Sequence, residues 1–466
     1  MDRSLILKAL EKREPLWNVF PLTREIRIGG DESELGILDK QGRHIGEFHR
    51  LPVITPNGGK VYEDVGHVEF CTPETSNEVV RVAYFEAMKQ YCNMKGYAHR
   101  LYCHCVDGEG NVFGGSHENY FTCTSRKDWP KLIPFLIART LIAGAGWWVK
   151  IDGTPTYEIS QRARFITTDV SADTMRNRGI INTRLEPLSE VRGWDRMHVI
   201  YSEGTMCEVA TFLKVGLMQL VIRLMESRAL PLIEYDRSKT VSDLRRVSGT
   251  MRDWFLEGVT KGPKGAVELL GCYVRRAKEI FGGQDEVTDA VIIIAEDTLE
   301  KLASDPMKLY GRLDWVTKYE VLRQFTDSIE GDTFEWSRSL DMEWHNLAQA
   351  EGLYYILRKD RKVERIVSDH LILQAMKEPP FDTRAYVRGK TQQLLQAEGM
   401  GRELHSNAWE KICVVDSSFN RASVLETMPE MQEMTGQVYF EEPIPNPFDP
   451  GRELLEKIRS RIEKGE

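Results

Sequence analysis

Gly30-Asp31-Glu32-Ser33-Glu34-Leu35-Gly36 is the stretch that leaves this chain the fewest ways to fold. Side chains alternate across an extended strand, so Glu32 and Glu34 point to one face and their carboxylates converge. Like charges held that close repel unless a cation or a shared proton neutralises them. For an isolated Glu-x-Glu pair a solvated strand face is the simpler reading. Here the pair has company. Asp64-Val65-Gly66-His67-Val68-Glu69-Phe70-Cys71-Thr72-Pro73-Glu74, His117-Glu118-Asn119-Tyr120 and Arg196-Met197-His198-Val199-Ile200 also combine carboxylates or imidazoles with extended segments. Oxygen-rich clusters with one or two histidines suit Mg²⁺ or Mn²⁺ rather than zinc. Such a site on strands is what phosphoryl-transfer chemistry with ATP needs.

The rest of the chain reads as α+β. Its 466 residues suffice for one large and one small domain. Residues 3–13 have a helical pattern, and 24–30 read as a strand ending at Gly29-Gly30. Lys60 to Thr72 reads as one extended segment broken by Pro73. Asn77 is a suitable N-cap for a helix running to about Met94. Further strands are expected near 99–106, 117–123 and 195–202, and long helical patterns fill 206–228 and 285–378. Strands first and helices later favour α+β over a doubly wound sheet. A boundary is expected near Glu398–Arg402, giving a unit 1–398 and a small unit 399–466.

Composition excludes several classes. A net charge of −9 argues against non-specific nucleic-acid binding. The eight cysteines lack a disulfide framework and no signal peptide is evident, so a cytoplasmic protein is expected. The apolar run Leu132 to Val149 carries Pro134 and Arg139 and reads as a buried helix ending at Gly144 and Gly146, not a membrane span. Cys103-His104-Cys105 has no second ligand pair at zinc-site spacing and reads as packing. No GxSxG, HExxH, Walker A or GxGxxG motif is present.

Taken in order, these segments resemble those of the Pup ligase and Pup deamidase/depupylase family, glutamine-synthetase-like carboxylate–amine ligases. Gly30–Gly36 resembles its GxExEFG strand and Asn57-Gly58-Gly59-Lys60-Val61-Tyr62-Glu63-Asp64 its NGARLYxD segment. His117-Glu118-Asn119-Tyr120, Ile159-Ser160-Gln161-Arg162-Ala163, Ile180-Ile181-Asn182-Thr183-Arg184 and Leu213-Lys214-Val215-Gly216 match as they stand. Leu313-Asp314-Trp315 with Lys318, and Asp382-Thr383-Arg384-Ala385-Tyr386 with Arg388-Gly389, extend the likeness over roughly residues 24–460.

The resemblance implies a curved antiparallel sheet packed with helices, a small C-terminal domain, and ATP and Mg²⁺ in the sheet's cradle. It makes Glu32, Glu34, Glu69, Glu74, Glu118 and His198 candidate metal ligands and Asp64 the catalytic carboxylate. Arg184, Arg196 and Asn119 become candidates for holding nucleotide or the modifier's terminal carboxylate, since a guanidinium fork matches such oxygens. Pairing of Arg184 with Glu186 is the structural alternative. Pup or a Pup-like modifier and its conjugates are the implied partners, and a monomer linked to proteasomal protein modification is expected.

Several segments lean toward the deamidase/depupylase branch, notably the Asp64-to-Glu69 spacing and Glu208-Val209-Ala210-Thr211-Phe212-Leu213-Lys214-Val215-Gly216. Val65-Gly66 is the ligase-like dipeptide, and only about twenty residues separate Gly36 from Asn57, short of that branch's long loop. The expectation is an ATP-dependent amidohydrolase that deamidates and depupylates, with isopeptide-forming ligase as the alternative. A non-catalytic nucleotide-binding relative is the third reading, and the number of converging carboxylates argues against it.

Overall fold

The protein, seen in a computed structural model, is described for residues 2–18, 27–38, 53–64, 67–94, 100–107, 110–112, 114–174, 176–184, 191–399, 401–404, 411–416 and 438–464. After helix α1 (Arg3–Glu11) come strands β1 (Gly29–Leu38), β2 (Val53–Ile54), β3 (Lys60–Asp64) and β4 (His67–Cys71). Helix α2 (Glu78–Met94) leads to β5 (Arg100–Tyr102) and β6 (Ser116–Thr122). Then follow α3 (Ile133–Ala143), the hairpin β7 (Trp147–Ile151) and β8 (Thr154–Glu158), β9 (Val170–Ser171), β10 (Ile181–Asn182) and β11 (Asp195–Val199). From α4 (Glu208–Glu226) onward the chain is mainly helical: α5 (Thr240–Ser248), α6 (Ala266–Phe281), α7 (Glu286–Ser304), α8 (Asp314–Asp327), α9 (Phe334–Trp344), α10 (Leu353–Lys359), α11 (Asp369–Lys377) and α12 (Ala385–Glu398).

The fold is the α+β class expected from strands preceding helices. Nine strands form one sheet in the order β2-β3-β4-β1-β6-β11-β10-β9, with β5 also paired to β1. All its pairings are antiparallel except β9 with β10. One face carries Leu35, Val61, Val68, Phe70 and Tyr120 into the main core, where Phe70 meets Phe85 of α2 at a centroid distance of 5.5 Å. Asn77 caps α2 as its sequence position implies, its Oδ1 accepting from Val80 N at 3.0 Å. Arg81 of α2 then reaches back to Asp31, a buried bidentate pair at 2.6 and 2.8 Å.

That pair explains one misreading. Gly29 and Gly30 do not end a strand; they begin β1. Glycine is needed at position 29 because a Cβ would overlap the Arg81 guanidinium and approach Asn119 O to 3.1 Å. A close approach, not a turn, selects the residue. Lys60 to Thr72 is likewise not one segment but two strands paired with each other, Asp64 opposite His67 and Tyr62 opposite Glu69. Within the apolar run 132–149, Ile133–Ala143 is the buried helix α3, capped at Gly144, and Trp147 opens β7. Among the described residues no helix is long and apolar enough to cross a membrane.

Toward the C-terminus, strands Arg402–Leu404, Lys411–Asp416 and Val438–Pro443 form a small antiparallel sheet beside the helix Arg452–Glu463. Its core of Ile412, Val414, Phe440, Leu455 and Ile458 is joined by Val387 and Leu395 of α12 and by Ile54 of β2. The C-terminal unit thereby seats against the outer edge of the large sheet.

Candidate functional site

The face of the sheet opposite the core is polar, and strand alternation puts it there. On β1, Asp31, Ser33 and Leu35 are buried while Glu32 and Glu34 are half-buried on the other side. Register brings further polar residues alongside. Glu34 lies opposite Glu69 of β4, Glu32 opposite Cys71 and, on its other side, opposite His117 of β6; His198 of β11 pairs with Asn119.

Two ligand clusters result. Glu34, Asp64 and Glu69 place carboxylate oxygens within 4.8 Å of one another, and Glu32, His117 and His198 do the same with one carboxylate and two imidazoles. His117 Nδ1 is 3.5 Å and His198 Nε2 3.4 Å from Glu32 Oε2. Burial opposes ionisation of Glu32, but His198, His117 and Arg196 together outweigh it and hold its carboxyl well below the usual range. Glu69 goes the other way: burial, then the charges of Glu32 and Glu34, push it well above the usual value. Burial raises Glu34 too, with Asp64 adding to the effect. Three converging carboxylates, two of them reluctant to ionise together, match the demand of a hard divalent cation.

Asn119 ties this centre to the next strand. Its Nδ2 donates to Glu32 Oε1 at 2.9 Å and its Oδ1 accepts from Arg196 Nη1 at 2.6 Å. Beyond Arg196 the face turns aromatic: Phe121 stacks on Trp194 at 5.2 Å, and Phe448 meets Trp194 at 5.1 Å. Flat rings beside an arginine and a cation centre offer a platform for a nucleobase.

The structure thus gathers Glu32, Glu34, Asp64, Glu69, His198, Asn119 and Arg196 on one face. Arg184 lies exposed just past β10, and its suggested partner Glu186 is outside the described residues. Glu118 and Glu74 do not join the clusters. Glu118 points into the core, where Arg139 donates two hydrogen bonds at 2.7 and 2.8 Å and Tyr120 and Ser202 donate two more. Burial opposes its charge, but Arg139 and Lys214 outweigh it and draw the pKa down to about 2. Glu74 is bound by Arg384 at 2.6 Å and by Arg388, and its pKa also falls to about 2 because these arginines outweigh burial.

His117 is the ligand candidate that motif matching passed over. Lys60 and Tyr62 on β3 were also missed. The Lys60 ammonium sits 4.2 Å from the Tyr62 ring centroid, and burial lowers its pKa despite Cys71 and Glu69 nearby.

Most remaining motifs are scaffold. Arg162 lies over Gly114-Gly115 beside Glu34, donating to Gly114 O, and Gln161 holds Cys105 N at 2.9 Å and Gly146 O at 3.0 Å. Gly58 has φ +83° with its Cβ position 2.6 Å from Ala385 O, so Asn57-Gly58-Gly59 docks on the Arg384–Gly389 stretch. Asp314 accepts from Met206 N at 2.7 Å and from Trp344 Nε1 at 2.9 Å. The buried cluster His104, Asp341 and His345 encloses an ammonium already: Lys318 Nζ hydrogen bonds to Asp341 and, at 3.0 Å, to His345 Nε2. Cys103 and Cys105 are buried packing groups, as expected.

Residues 23–413 match the family model described as Pup-ligase protein. A depupylase of Acidothermus cellulolyticus is 32% identical over 77% of this chain and 74% of its own length. A Pup–protein ligase of Acidimicrobium ferrooxidans is 33% identical over 78% of this chain and 88% of its own. A Pup deamidase/depupylase of Mycobacterium tuberculosis is 28% identical over 87% and 83%. A solved structure of the ligase PafA with the modifier Pup superposes with a TM-score of 0.77 at 22% identity, covering 94% of this chain and 93% of that one.

Proposed function

Because this chain belongs to the Pup-ligase protein family, we propose that it is an ATP- and Mg²⁺-dependent deamidase/depupylase acting on the C-terminal side chain of Pup or a Pup-like modifier. The observation that carries the reading is Asp64 beside Glu34 and Glu69, all within 4.8 Å, on the open face of the sheet. Glu34 and Glu69, beside Asp64, and Glu32 with His117 and His198, are the donor sets that would hold Mg²⁺. The carboxylate oxygens of the first set fit that ion, and the second adds one carboxylate oxygen and two imidazole nitrogens. Bound Mg²⁺ and nucleotide supply positive charge and phosphate oxygens near the reacting carbonyl.

The chain's own groups do the rest. The Asp64 carboxylate either attacks the side-chain carbonyl carbon of the modifier's last residue or removes a proton from the water that attacks it. In both routes the carbon–nitrogen bond breaks and the leaving ammonia or lysine amine takes up a proton. After direct attack the mixed anhydride on Asp64 is cleaved by a water, which supplies the new carboxyl oxygen, frees Asp64 and returns the proton the amine took. Arg196, fixed by Asn119, and Arg184 suit the phosphates or the modifier's α-carboxylate. Phe121, Trp194 and Phe448 suit the base. The Asp64-to-Glu69 spacing, which resembles that of the deamidase/depupylase branch, supports hydrolysis over ligation.

Ligation is the second reading, favoured by Val65-Gly66 and by ligases among the relatives. There Asp64 would take the proton of an incoming lysine. The test is to give the purified protein ATP, Mg²⁺ and Pup ending in glutamine or in glutamate, and to follow products by mass spectrometry. Conversion of terminal glutamine to glutamate supports the proposal. A covalent adduct of glutamate-ended Pup with a lysine substrate, and no deamidation, would reverse it.

A further inference from the structure

The N-terminal helix builds a recess that the catalytic reading does not use. Residues 1–22 lie outside the family match at 23–413. Within them α1 buries Ile6 and Leu10 in the main core, and Trp17 follows, so the stretch from Ile6 to Trp17 is anchored there. Past the end of α1, Lys12 to Pro15 form one wall of a recess of about 730 Å³ whose other walls come from α2, α10, α11 and the stretch joining α10 to α11. The opposite side of α2 packs Phe85 on the sheet's core face, so a helical layer stands between this recess and the cradle.

Six lining side chains are cationic and two acidic; Arg13, Arg358 and Arg365 are ion-paired with Glu364, Glu208 and Asp369, so the charge presented at the recess is mainly that of Lys12, Lys359 and Arg361. Arg358 and Arg365 form the inner part, with Arg365 Nε donating to buried Glu208 at 2.6 Å. Lys12, Lys359 and Arg361 stand exposed at the rim. The floor is not only charged. Leu373 is 52% exposed, Pro15 lies beside it, and Tyr355 is 4% exposed with a hydroxyl that has no hydrogen-bond partner among the described residues. An unsatisfied buried hydroxyl is a cost that a ligand can relieve.

We propose that this recess docks an acidic peptide segment of a protein partner, one that alternates carboxylates with apolar side chains. The cationic rim selects negative charge. Leu373, Pro15 and the Tyr355 ring select a chain that also has apolar groups, which a bare phosphate lacks. The proposal stands apart from the reading of the cradle.

The test uses the full-length protein and a fluorescein-labelled peptide of alternating glutamate and leucine, followed by anisotropy in Mg²⁺-free buffer. Saturable binding that weakens with added salt is expected. Lys359→Glu/Arg361→Glu is expected to weaken it by about tenfold or more, as charge reversal of contact groups does. Lys12→Glu, on the facing wall, and Leu373→Ser are expected to weaken it as well. These side chains are exposed, and thermal melts check that each variant folds. No binding, or equal binding by wild type and the double variant, overturns the proposal. So does displacement by inorganic tripolyphosphate with indifference to Leu373→Ser, which would make the recess a phosphate site.

Discussion

Glu118→Gln should unfold the protein more easily while leaving divalent-cation binding intact. The amide keeps the size of the side chain but removes the charge opposite Arg139, itself fully buried. In the wild type the Glu118 pKa falls from an ordinary 4.5 to about 2, where Arg139 and Lys214 outweigh burial. That drop of about 2.5, at about 1.4 kcal/mol for each pH unit, corresponds to roughly 3–4 kcal/mol. Removing one partner of a buried pair costs about 3–5 kcal/mol by mutational experience, so the two magnitudes agree.

The assay is urea denaturation of both proteins at neutral pH, with Mn²⁺ binding measured by titration calorimetry. The sign of the pH dependence follows from a depressed carboxyl. Its contribution is complete above about pH 4.5 and fades as pH falls toward 2, so the two midpoints should converge on acidification. An unchanged urea midpoint together with weakened Mn²⁺ binding would refute the reasoning and return Glu118 to the ligand set.

His117→Ala should do the reverse, weakening Mn²⁺ binding with little change in thermal stability, because the ring is half-buried on the open face; calorimetry and a melt check both. Gly29→Ala should cost about 1–3 kcal/mol in a urea titration, since the added methyl must displace an Arg81 guanidinium that Asp31 pins. Arg184→Ala should impair use of the modifier while the melt stays put, as expected of an exposed side chain; turnover with unaltered dependence on modifier concentration would make Arg184 structural.

Strand alternation made Glu32 and Glu34 legible as a pair, and the order of strands and helices made the α+β class legible. The same alternation, applied to His117-Glu118-Asn119-Tyr120, puts His117 with Asn119 on the open face and Glu118 with Tyr120 in the core. The motif singles out Glu118, and the pleat singles out His117. Glu74 could not be read locally, because the arginines that hold it, Arg384 and Arg388, lie more than 300 residues along the chain. Gly29 looked like a terminator since close approach by a distant guanidinium leaves the same glycine signature as a turn. The division of Lys60 to Thr72 into two paired strands was hidden because both stretches have strand composition. Lys60 escaped notice because a single lysine in a strand usually marks a solvated edge.

The central claim is that Asp64 does chemistry in a cradle whose other acids serve to hold the metal and nucleotide. It is tested most directly by Asp64→Asn, assayed for ATP binding by calorimetry and for deamidation of glutamine-ended Pup by mass spectrometry. The amide keeps the shape of the carboxylate but can neither attack a carbonyl nor take a proton at neutral pH. The account predicts that ATP still binds in the presence of Mg²⁺ while deamidation is lost. Deamidation by the variant at near the wild-type rate would contradict it.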